Sequence, residues 1–347
     1  MKHRKMGRTR TILLGLAIFV IASAAACGSS GGQENKPVTG PWPDVVRAAE
    51  KEGSVTIYSS QVTDQLQALK LAFEKKYPKI MLQYVRGAGD AGVPKVEAEA
   101  RTGRGIADIL VTPSTPWLET HANLFAPVRG PAFDAADYNR AENISKKNYY
   151  VISALMFTYG WNTDLYAAGI KDWPGLFAPE LRGGKIGVIS PDTPARVDFY
   201  NFLEENYGPG FLQKLAAQEP RIYPSTQPIA AALTSGEIAA GIFLEPLTDE
   251  KKSGAPVDWG LSEKTWGNRF YAVNLKAGPH PNAGLVLADF IVTKEGQEAV
   301  ARNAASVLEN ISTAVGTTKN IRQQDPAKLT PQKVREFRSE FRKMFGQ

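Results

Sequence analysis

The sequence predicts an α/β protein built from two similar lobes. Two successive series of strand-like runs alternate with helical runs, and this order is typical of α/β domains. About 320 residues remain after a removable N-terminal segment, and 43% of the chain is hydrophobic, which is enough for two hydrophobic cores. Because Cys27 is the only cysteine, no disulfide can form within one chain, and folding depends on those cores.

The first series runs from a β-branched strand to a helix that opens at a Thr-Pro pair. Leu66, Leu69 and Phe73 are spaced three to four residues apart and share one face of a helix. Thr115 can cap the last helix while Pro116 occupies its first turn, where the missing N–H costs nothing. In order, we expect a strand at 55–58, a helix at 64–77, a strand at 81–85, a short helix ending near 102, a strand at 109–111 and the helix opened by Thr115.

The second series repeats the same order and is followed by an amphipathic C-terminus. In order, we expect a strand at 185–189, a helix opened by Thr193 and Pro194, a helix at 228–235, and strands at 239–244 and 270–274, then a helix at 283–291. Residues 331–345 predict a final helix with Val334, Phe337, Phe341 and Phe345 on one face. Such a stripe is more often docked against the body of a protein than left for a partner.

The N-terminal segment predicts export and lipid attachment. Basic residues precede an apolar run at 12–26, interrupted by Gly15 and Ser23. At about 1.5 Å per residue, this run is too short to cross a hydrocarbon core of roughly 30 Å, so it fits a secretory signal peptide. The small residues before Cys27 resemble the lipobox of bacterial lipoproteins, with Ala24 where that motif usually has leucine. The alternative is an ordinary secreted protein with an incidental cysteine.

The lipobox resemblance implies where the protein works. The signal peptide would be residues 1–26, Cys27 would carry a diacylglycerol, and residues 27–42 would form a flexible tether. The mature chain would then lie on the extracytoplasmic face of the cell membrane. Five of the 41 Lys and Arg residues precede Cys27, so the mature chain would have 36 basic and 35 acidic residues. A net charge this close to zero does not favour nucleic acid as a partner.

Signals for catalysis are weak in this chain. Residues 87–92 match G-x-G-x-x-G, but the match follows the second strand, Pro94 and Lys95 lie in the helix opening, and an exported protein meets few nicotinamide cofactors. A Gly-rich turn, or a nest of N–H groups that holds a ligand anion, fits better. His121 and His280 have no nucleophile motif or metal-ligand spacing nearby, and we expect both at the surface. We therefore expect no enzyme activity and no cofactor.

Several short motifs, in order, resemble the extracellular solute-binding proteins of ABC importers. They are GSVTIYSS at 53–60, AFEKKYP at 72–78, EAEAR at 97–101, ADI at 107–109, YGWNTDL at 159–165, LRGGKI at 181–186, SGEIAAG at 235–241 and GQEA at 296–299. The resemblance covers about 43–312 and is closest to the branch that binds ferric ion, thiamine, 2-aminoethylphosphonate and sugar phosphates.

The resemblance implies the type II periplasmic-binding-protein fold, with a ligand cleft between two lobes joined by two crossing hinge segments. We place the crossings near 154–161 and 266–271. The expected domains are residues 43–156 with 270–315 for lobe 1, residues 157–269 for lobe 2, and residues 316–347 for a C-terminal helical extension. The implied partners are a small-molecule ligand and a membrane permease, and the protein itself is expected to be a monomer.

The strand ends predict the ligand site independently of the resemblance. In open α/β sheets, ligands bind beyond the carboxyl ends of the strands, where helix N-termini also point. Small donors, glycines and two arginines occupy those positions, although plain helix capping is an alternative explanation for the small residues and surface exposure for the arginines. The candidates are Ser59, Ser60, Arg86, Gly87, Gly89, Ser114, Thr115, Ser190, Thr193, Arg196, Ser225 and Thr226.

Glu245 bears on the type of ligand. In ferric-ion members of the family, the stretch that aligns with 242–246 carries adjacent tyrosines that bind iron, whereas this chain has Phe243 and Glu245 there. Tyr149 and Tyr150 are adjacent but do not match that motif. Glu245 could accept a hydrogen bond from an ammonium or hydroxyl group, or could cap a loop. We expect a small polar, anionic organic ligand, with ferric ion as the alternative and an exported enzyme on the same fold as a third hypothesis.

Overall fold

The computed structural model describes residues 36–87, 89–322 and 328–346, and those residues form twelve α-helices and twelve β-strands. The signal peptide, Cys27 and the tether up to residue 35 lie outside the described residues, so the predictions made for them stay predictions. The elements expected from the sequence are present within four residues of their predicted bounds. The structure adds elements that were not expected, among them the first helix and the long fifth strand.

The helices and strands have the following bounds in chain order. The first part of the chain contains α1 (Trp42–Glu52), β1 (Ser54–Ser59), α2 (Thr63–Lys76), β2 (Met81–Arg86), α3 (Val93–Thr102), β3 (Ile109–Thr112), α4 (Thr115–Thr120), β4 (Phe125–Ala126), α5 (Arg140–Asn143) and β5 (Tyr149–Asn162). The middle contains β6 (Ile186–Ile189), α6 (Pro194–Tyr207), α7 (Phe211–Ala216), β7 (Arg221–Tyr223), α8 (Thr226–Thr234), β8 (Ala240–Leu244), α9 (Thr248–Lys252) and β9 (Val257–Gly260). The last part contains β10 (Trp266–Leu275), α10 (Pro281–Ile291), α11 (Lys294–Val300), β11 (Ala305–Ser306), β12 (Gly316–Thr317) and α12 (Pro331–Met344).

The first lobe is built on strands in the order β2-β1-β3-β10-β5. Strand β1 pairs in parallel with β2 and β3, whereas β10 runs antiparallel to β3 and β5. One face of this sheet packs on α1, α2, α10 and α11 around Phe73, Tyr150 and Phe290, which are fully buried. Burying each such side chain contributes about 1.5–3 kcal/mol. The other face packs on α3 and α4 through Val96 and Trp117.

The second lobe continues from β5 in the order β5-β8-β6-β7. Strand β6 pairs in parallel with β7 and β8, and β5 pairs antiparallel with β8 and β9. Its core is rich in aromatic rings, with Trp173, Phe199 and Trp266 fully buried. The two cores lie on successive parts of one long strand, β5.

Strands β5 and β10 form a two-stranded crossing ribbon between the lobes. They pair from Trp266 with Phe157 to Val273 with Tyr149, and the register shifts between Phe270 and Tyr271. Because side chains alternate along a strand, the two faces of this ribbon carry different residues. Leu155 and Phe270 point to one face, and Arg269 and Tyr271 point to the other, as the lining of the two cavities described below shows.

The C-terminal segment adds a third connection between the lobes. Residues 313–322, here called the strap, pass along the ribbon. They include β12, which pairs with β11 in the first lobe, and Ile321, which bridges to Thr265. The strap ends at Arg322, which bonds Asp198 of α6 in the second lobe. Helix α12 then docks on α6, and its buried Phe341 packs 5.1 Å from the ring of Tyr200. The expectation that the amphipathic C-terminal helix packs against the body is confirmed.

Candidate functional site

The candidate site is a cleft of about 580 Å³ between the two lobes, called the main cleft. The first lobe contributes Ser60 and Arg86, which follow β1 and end β2. The second lobe contributes Thr226 at the start of α8 and Glu245 directly after β8. The crossing ribbon contributes Leu155 and Phe270. The walls therefore come from both lobes and from the strands that join them, at the carboxyl ends of the parallel strands.

Arg86 and Ser60 form the rim of the first lobe. Arg86 is exposed, and its Nε donates to the carbonyl of Gln61 at 3.1 Å, which orients the guanidinium at the end of β2. Ser60 is 8% exposed, and its hydroxyl donates to the carbonyl of Val111 at 3.3 Å. Its oxygen remains an acceptor, whereas the Arg86 guanidinium has further donors. Arg86 is therefore the better group for binding an anion here.

A bulge in β8 directs Glu245 to the main cleft. Between Thr158 and Tyr159 the pairing of β5 with β8 skips Phe243, which takes a left-handed backbone with φ of 60°. A non-glycine residue in that conformation costs of order 1–3 kcal/mol and persists where packing enforces it. Phe243 is held by stacking on Phe157 at 4.0 Å between ring centroids. No local sequence pattern predicts this bulge.

The surroundings of Glu245 in the main cleft raise the pKa of its carboxyl group. Its side chain is exposed to the main cleft, yet the cleft walls remove part of its hydration. This desolvation is the main cause of a raised pKa, and the nearby Glu250 carboxylate raises the pKa further. A cationic or hydroxyl-bearing group in the cleft would favour the charged form of Glu245.

The main cleft has charges of both signs. Arg86, Lys252 and Arg302 line it together with Asp64, Glu245, Asp249 and Glu250. The expectation of an anion site held by several basic and small donors is thus met by only part of the wall. A hydrogen bond from Asn303 Nδ2 to Asp249 Oδ2, at 3.3 Å, joins the end of the first lobe to α9 of the second beside the cleft.

Several predicted site residues are used inside the fold instead. Ser59 is buried, and its hydroxyl accepts from the N–H of Gln61 at 3.2 Å. The N–H of Gly87 donates to the carbonyl of Ser59 at 2.9 Å, and Gly89 takes a left-handed turn conformation that only glycine adopts freely. Ser114, not Thr115, occupies the N-cap position of α4, so the expected cap at Thr115 is wrong. Ser225 precedes α8 without a side-chain capping bond.

The start of α6 forms a closed network with α12. Thr193 accepts from the N–H of Arg196, as a helix cap does, and Arg196 bonds Ser190 and lies 3.6 Å from Asp192. Arg338 of α12 donates to the carbonyls of Pro191 and Asp192. None of Ser190, Thr193 and Arg196 lines the main cleft. The charge of Arg196 is already paired with Asp192, whereas Arg86 lines the main cleft.

A second cavity, of about 370 Å³, lies on the opposite face of the crossing ribbon. We call it the Arg269 cavity, and it is lined among others by Thr115, Ser145, Tyr149, Arg269, Tyr271 and Arg322. Thr115 is the one predicted site residue that lines it. It shares no lining residue with the main cleft.

His280 is bonded within the fold rather than free at the surface. His280 is 25% exposed and structurally engaged, because its Nδ1 lies 3.1 Å from Asp108 and its Nε2 lies 3.1 Å from the hydroxyl of Ser54. This Ser–His–Asp order has the spacing of a catalytic triad, but it lies where β1 begins, at the edge away from the main cleft. The N–H groups of Asn282 and Ala283 that open α10 are already bonded to Glu52. The cluster therefore anchors α10 to β1.

The adjacent residues Tyr149 and Tyr150 lie outside the main cleft. Tyr150 is fully buried and bonded to Asn274, and Tyr149 lines the Arg269 cavity, so neither reaches the main cleft. Within residues 36–346, apart from the undescribed positions, no group of three His, Cys, Asp or Glu side chains is arranged to hold a metal ion. Over the same residues, no helix is both long and apolar enough to cross a membrane.

Comparisons with known proteins agree with this architecture. The family model described as "Bacterial extracellular solute-binding protein" matches residues 59–298, more than half of the chain. None of the curated proteins matches the sequence at a significant level.

Solved structures match at low identity but over most of both chains. Iron-bound HitA from Pseudomonas aeruginosa is 18% identical with a TM-score of 0.59, covering 84% of this chain and 99% of HitA. The substrate-binding protein of an ABC transporter from Agrobacterium tumefaciens is 15% identical with a TM-score of 0.63, covering 86% and 97%. AfuA from Actinobacillus pleuropneumoniae, with fructose-6-phosphate bound, is 21% identical with a TM-score of 0.54, covering 85% and 97%. At these identities the likeness shows the two-lobed fold.

Proposed function

Because the chain belongs to the family of bacterial extracellular solute-binding proteins, we propose that it is the lipid-anchored capture component of an ABC-type importer. It binds a small polar organic solute bearing an anionic group and releases it unchanged to a membrane permease. The observation that carries this proposal is the main cleft, whose walls combine both lobes and the crossing ribbon. A ligand held there contacts both lobes.

Hinge closure is the proposed mechanism. A ligand that contacts both lobes binds the closed form more tightly than the open form, so binding shifts the equilibrium toward closure. The crossing strands β5 and β10 are the hinge elements, with lobe 1 at 43–156 and 270–315 and lobe 2 at 157–269. The closed protein, as a monomer, docks on a permease. The lipid on Cys27 keeps it at the extracytoplasmic face of the cell membrane.

The anionic group of the solute is placed at Arg86. A micromolar ligand needs about 8 kcal/mol of binding free energy, and one charge-assisted hydrogen bond contributes about 1.5–3 kcal/mol. The remainder comes from polar contacts at Ser60 and Thr226 and from burial against Phe270. Glu245 accepts from a hydroxyl or ammonium group of the same solute, which orients it between the lobes.

Ferric ion is not the favoured cargo. Neither member of the Tyr149–Tyr150 pair lines the main cleft. The resemblance implies that Phe243 and Glu245 lie where ferric-ion members of the family carry adjacent tyrosines. The described walls of the main cleft contain no tyrosine, so iron cannot be bound there through adjacent tyrosines. A visible absorption band on adding ferric citrate would reverse this preference.

Native mass spectrometry of freshly purified protein tests the proposal directly. We expect a noncovalent small molecule bound one to one, released unchanged on denaturation. Small-angle scattering of the unloaded and reloaded protein should show a smaller radius of gyration with the ligand. Chemical conversion of the molecule during incubation, or an identical radius in both states, would count against a transport role by hinge closure.

Arg86 and Arg196 provide a matched pair of variants. We expect Arg86→Ala to weaken binding of the co-purified molecule at least about tenfold, because one charge-assisted bond is lost. Arg196→Ala should stay within about twofold, because its guanidinium is paired with Asp192 and Ser190. Titration calorimetry measures both. If Arg86→Ala also stays within twofold, the anionic group is bound elsewhere.

A further inference from the structure

The Arg269 cavity contains a cation, Arg269, that has no carboxylate partner among residues 36–87, 89–322 and 328–346. Arg269 is partly buried, and its Nη2 donates to the carbonyls of Thr318 and Ile321, both at 3.1 Å. These two bonds fix the guanidinium against the strap but neutralise no charge. Its Nε is buried and has no hydrogen-bond partner. In the described part of the chain, no carboxylate forms an ion pair with Arg269.

An unpaired, partly desolvated guanidinium is costly to a folded protein. Burying a charge is tolerated when it is paired and hydrogen-bonded, and an unsatisfied buried donor loses its hydration without return. The other arginine of the cavity shows the usual solution, since Arg322 is paired with Asp198 at 3.2 Å and with Glu205 at 3.0 Å. Arg269 therefore differs from its neighbour in lacking an acidic partner.

The walls around Arg269 suit a small acidic group. Tyr271 lies beside it, and burial raises the pKa of the Tyr271 phenol, so this hydroxyl stays a hydrogen-bond donor at neutral pH. The rings of Tyr149 and Tyr271 meet edge to face at 5.4 Å. Thr115 and Ser145 add hydroxyls from the first lobe. Glu142, the carboxylate that lines the cavity, is exposed at its edge.

We propose that the Arg269 cavity is a second ligand site, separate from the main cleft, which binds a small anion with a carboxylate or phosphate group. The acidic group pairs with the Arg269 guanidinium and accepts from the hydroxyl of Tyr271. The site has no lining residue in common with the main cleft, so it does not depend on the identity of the transported solute.

The position of this site couples it to the hinge. Arg269 and Tyr271 belong to crossing strand β10, Thr115 and Ser145 belong to the first lobe, and Arg322 is bonded to Asp198 in the second. A change in the angle between the lobes alters the distances among these three groups. An anion bound there consequently favours one lobe arrangement, and by linkage it changes the affinity of the main cleft.

Inorganic phosphate and malonate are suitable probes for the full-length protein. Titration calorimetry at pH 7.5, at ionic strength held constant with chloride, should give one phosphate or malonate site per chain. Arg269→Gln should weaken it at least about tenfold, and Tyr271→Phe, which keeps the ring contact with Tyr149, should weaken it about threefold. Arg335→Gln, an exposed arginine on α12, is the matched control and should bind as the wild type does.

The location is tested by anomalous diffraction from crystals soaked in selenate. We expect a peak within hydrogen-bond distance of the Arg269 guanidinium in the wild type and a clearly weaker peak there in Tyr271→Phe at the same subsaturating selenate concentration. Because Tyr271→Phe leaves the bonds from Arg269 to the strap intact, it keeps the test independent of folding defects in Arg269→Gln. The proposal is overturned if neither probe binds the wild type, if both variants bind normally, or if the peak lies elsewhere.

Discussion

The two faces of the crossing ribbon support cavities of opposite character. On one face the main cleft has four carboxylates and three basic side chains, and Asp249, Glu250 and Lys252 among them belong to α9. On the other face the Arg269 cavity has a single exposed carboxylate and two arginines fixed by the strap and α6. Adjacent residues of β10 divide between them, with Phe270 in the main cleft and Arg269 and Tyr271 in the other. The alternation of one strand thus supplies two chemically distinct sites at one hinge.

The faces also differ in how firmly the lobes are joined. Behind the ribbon, Ile321 is 3% exposed and packs with Ala154 and Met156, and the strap ends in the ion pair between half-buried Arg322 and fully buried Asp198. Beside the main cleft, Asn303 and Asp249 are linked by one exposed hydrogen bond of 3.3 Å. A hinge that opens and closes on one face needs the stronger connection on the other. The predictions below test that difference.

Removing Arg322 should give the largest effect. Arg322→Ala leaves the fully buried carboxylate of Asp198 with Trp266 Nε1 as its remaining strong donor, at 2.7 Å. Loss of one partner of a buried ion pair costs about 3–5 kcal/mol. We expect the free energy of unfolding, measured in urea, to fall by that amount at pH 8.

The pH dependence of this variant follows from Asp198. Burial already raises the pKa of Asp198 in the wild type, outweighing the Trp266 bond and Arg322. A raised folded-state pKa favours folding at low pH and loses that contribution as pH rises through it. Without Arg322 the pKa rises further, so the destabilisation should be smaller at pH 5 than at pH 8. Arg221→Ala, which breaks the exposed pair with Glu237, should cost below about 1 kcal/mol at either pH. Equal losses in the two variants would refute a special role for the strap.

Local sequence signals predicted most of the fold. The β-branched run before Ser59 and the Thr-Pro start of α6 specify their elements through interactions within a few residues, so periodicity and capping suffice. Helix α1 was not expected, because Pro41 and Pro43 flank its start and hide an amphipathic pattern in which Val45 and Ala49 are buried. The strap connects residues more than a hundred positions apart, as Arg322 and Asp198 show. No local pattern encodes such a contact.

The candidate site was less predictable than the fold. The strand-end argument indicated Ser60, Arg86 and Thr226, and the family resemblance indicated Glu245. All four line the main cleft, because topology places those ends together. A single sequence cannot show whether a polar side chain at a strand end already has a partner, so Arg196 and Ser59 looked equivalent to Arg86. Arg269 was missed, because its importance comes from its three-dimensional surroundings, in which the described residues provide no carboxylate partner for it.

Glu245 should make ligand affinity depend on pH. As pH falls through its raised pKa, the carboxylate becomes protonated and a hydrogen bond to a charged acceptor becomes a bond to a neutral one. That change is worth about 1 kcal/mol, so the Kd for the co-purified molecule should rise about fivefold on the acidic side. Titration calorimetry from pH 4 to pH 8 measures it. Glu245→Gln should flatten the profile.

The neighbouring carboxylate sharpens this test. Because Glu250 contributes to the raised pKa of Glu245, Glu250→Gln should move the loss of affinity to lower pH without removing it. Glu309→Gln, at an exposed position outside the main cleft, should leave the profile unchanged. A Glu245→Gln protein with the pH profile of the wild type would mean that another group titrates.

The link between Asn303 and Asp249 should have the smallest effect. Asn303 has a left-handed backbone with φ of 54°, so Asn303→Gly removes the side-chain amide without adding backbone strain. Asn303→Ala would remove the amide and add backbone strain at the same time. An exposed hydrogen bond of 3.3 Å contributes less than about 1 kcal/mol. We expect the free energy of unfolding to stay within that range and the radius of gyration of the unloaded protein to increase slightly, as measured by small-angle scattering. Arg322→Ala, which changes the opposite face of the ribbon, is the comparison and should lower the free energy of unfolding far more. A loss of stability in Asn303→Gly as large as in Arg322→Ala would remove the distinction between a firm face and a mobile face of the ribbon.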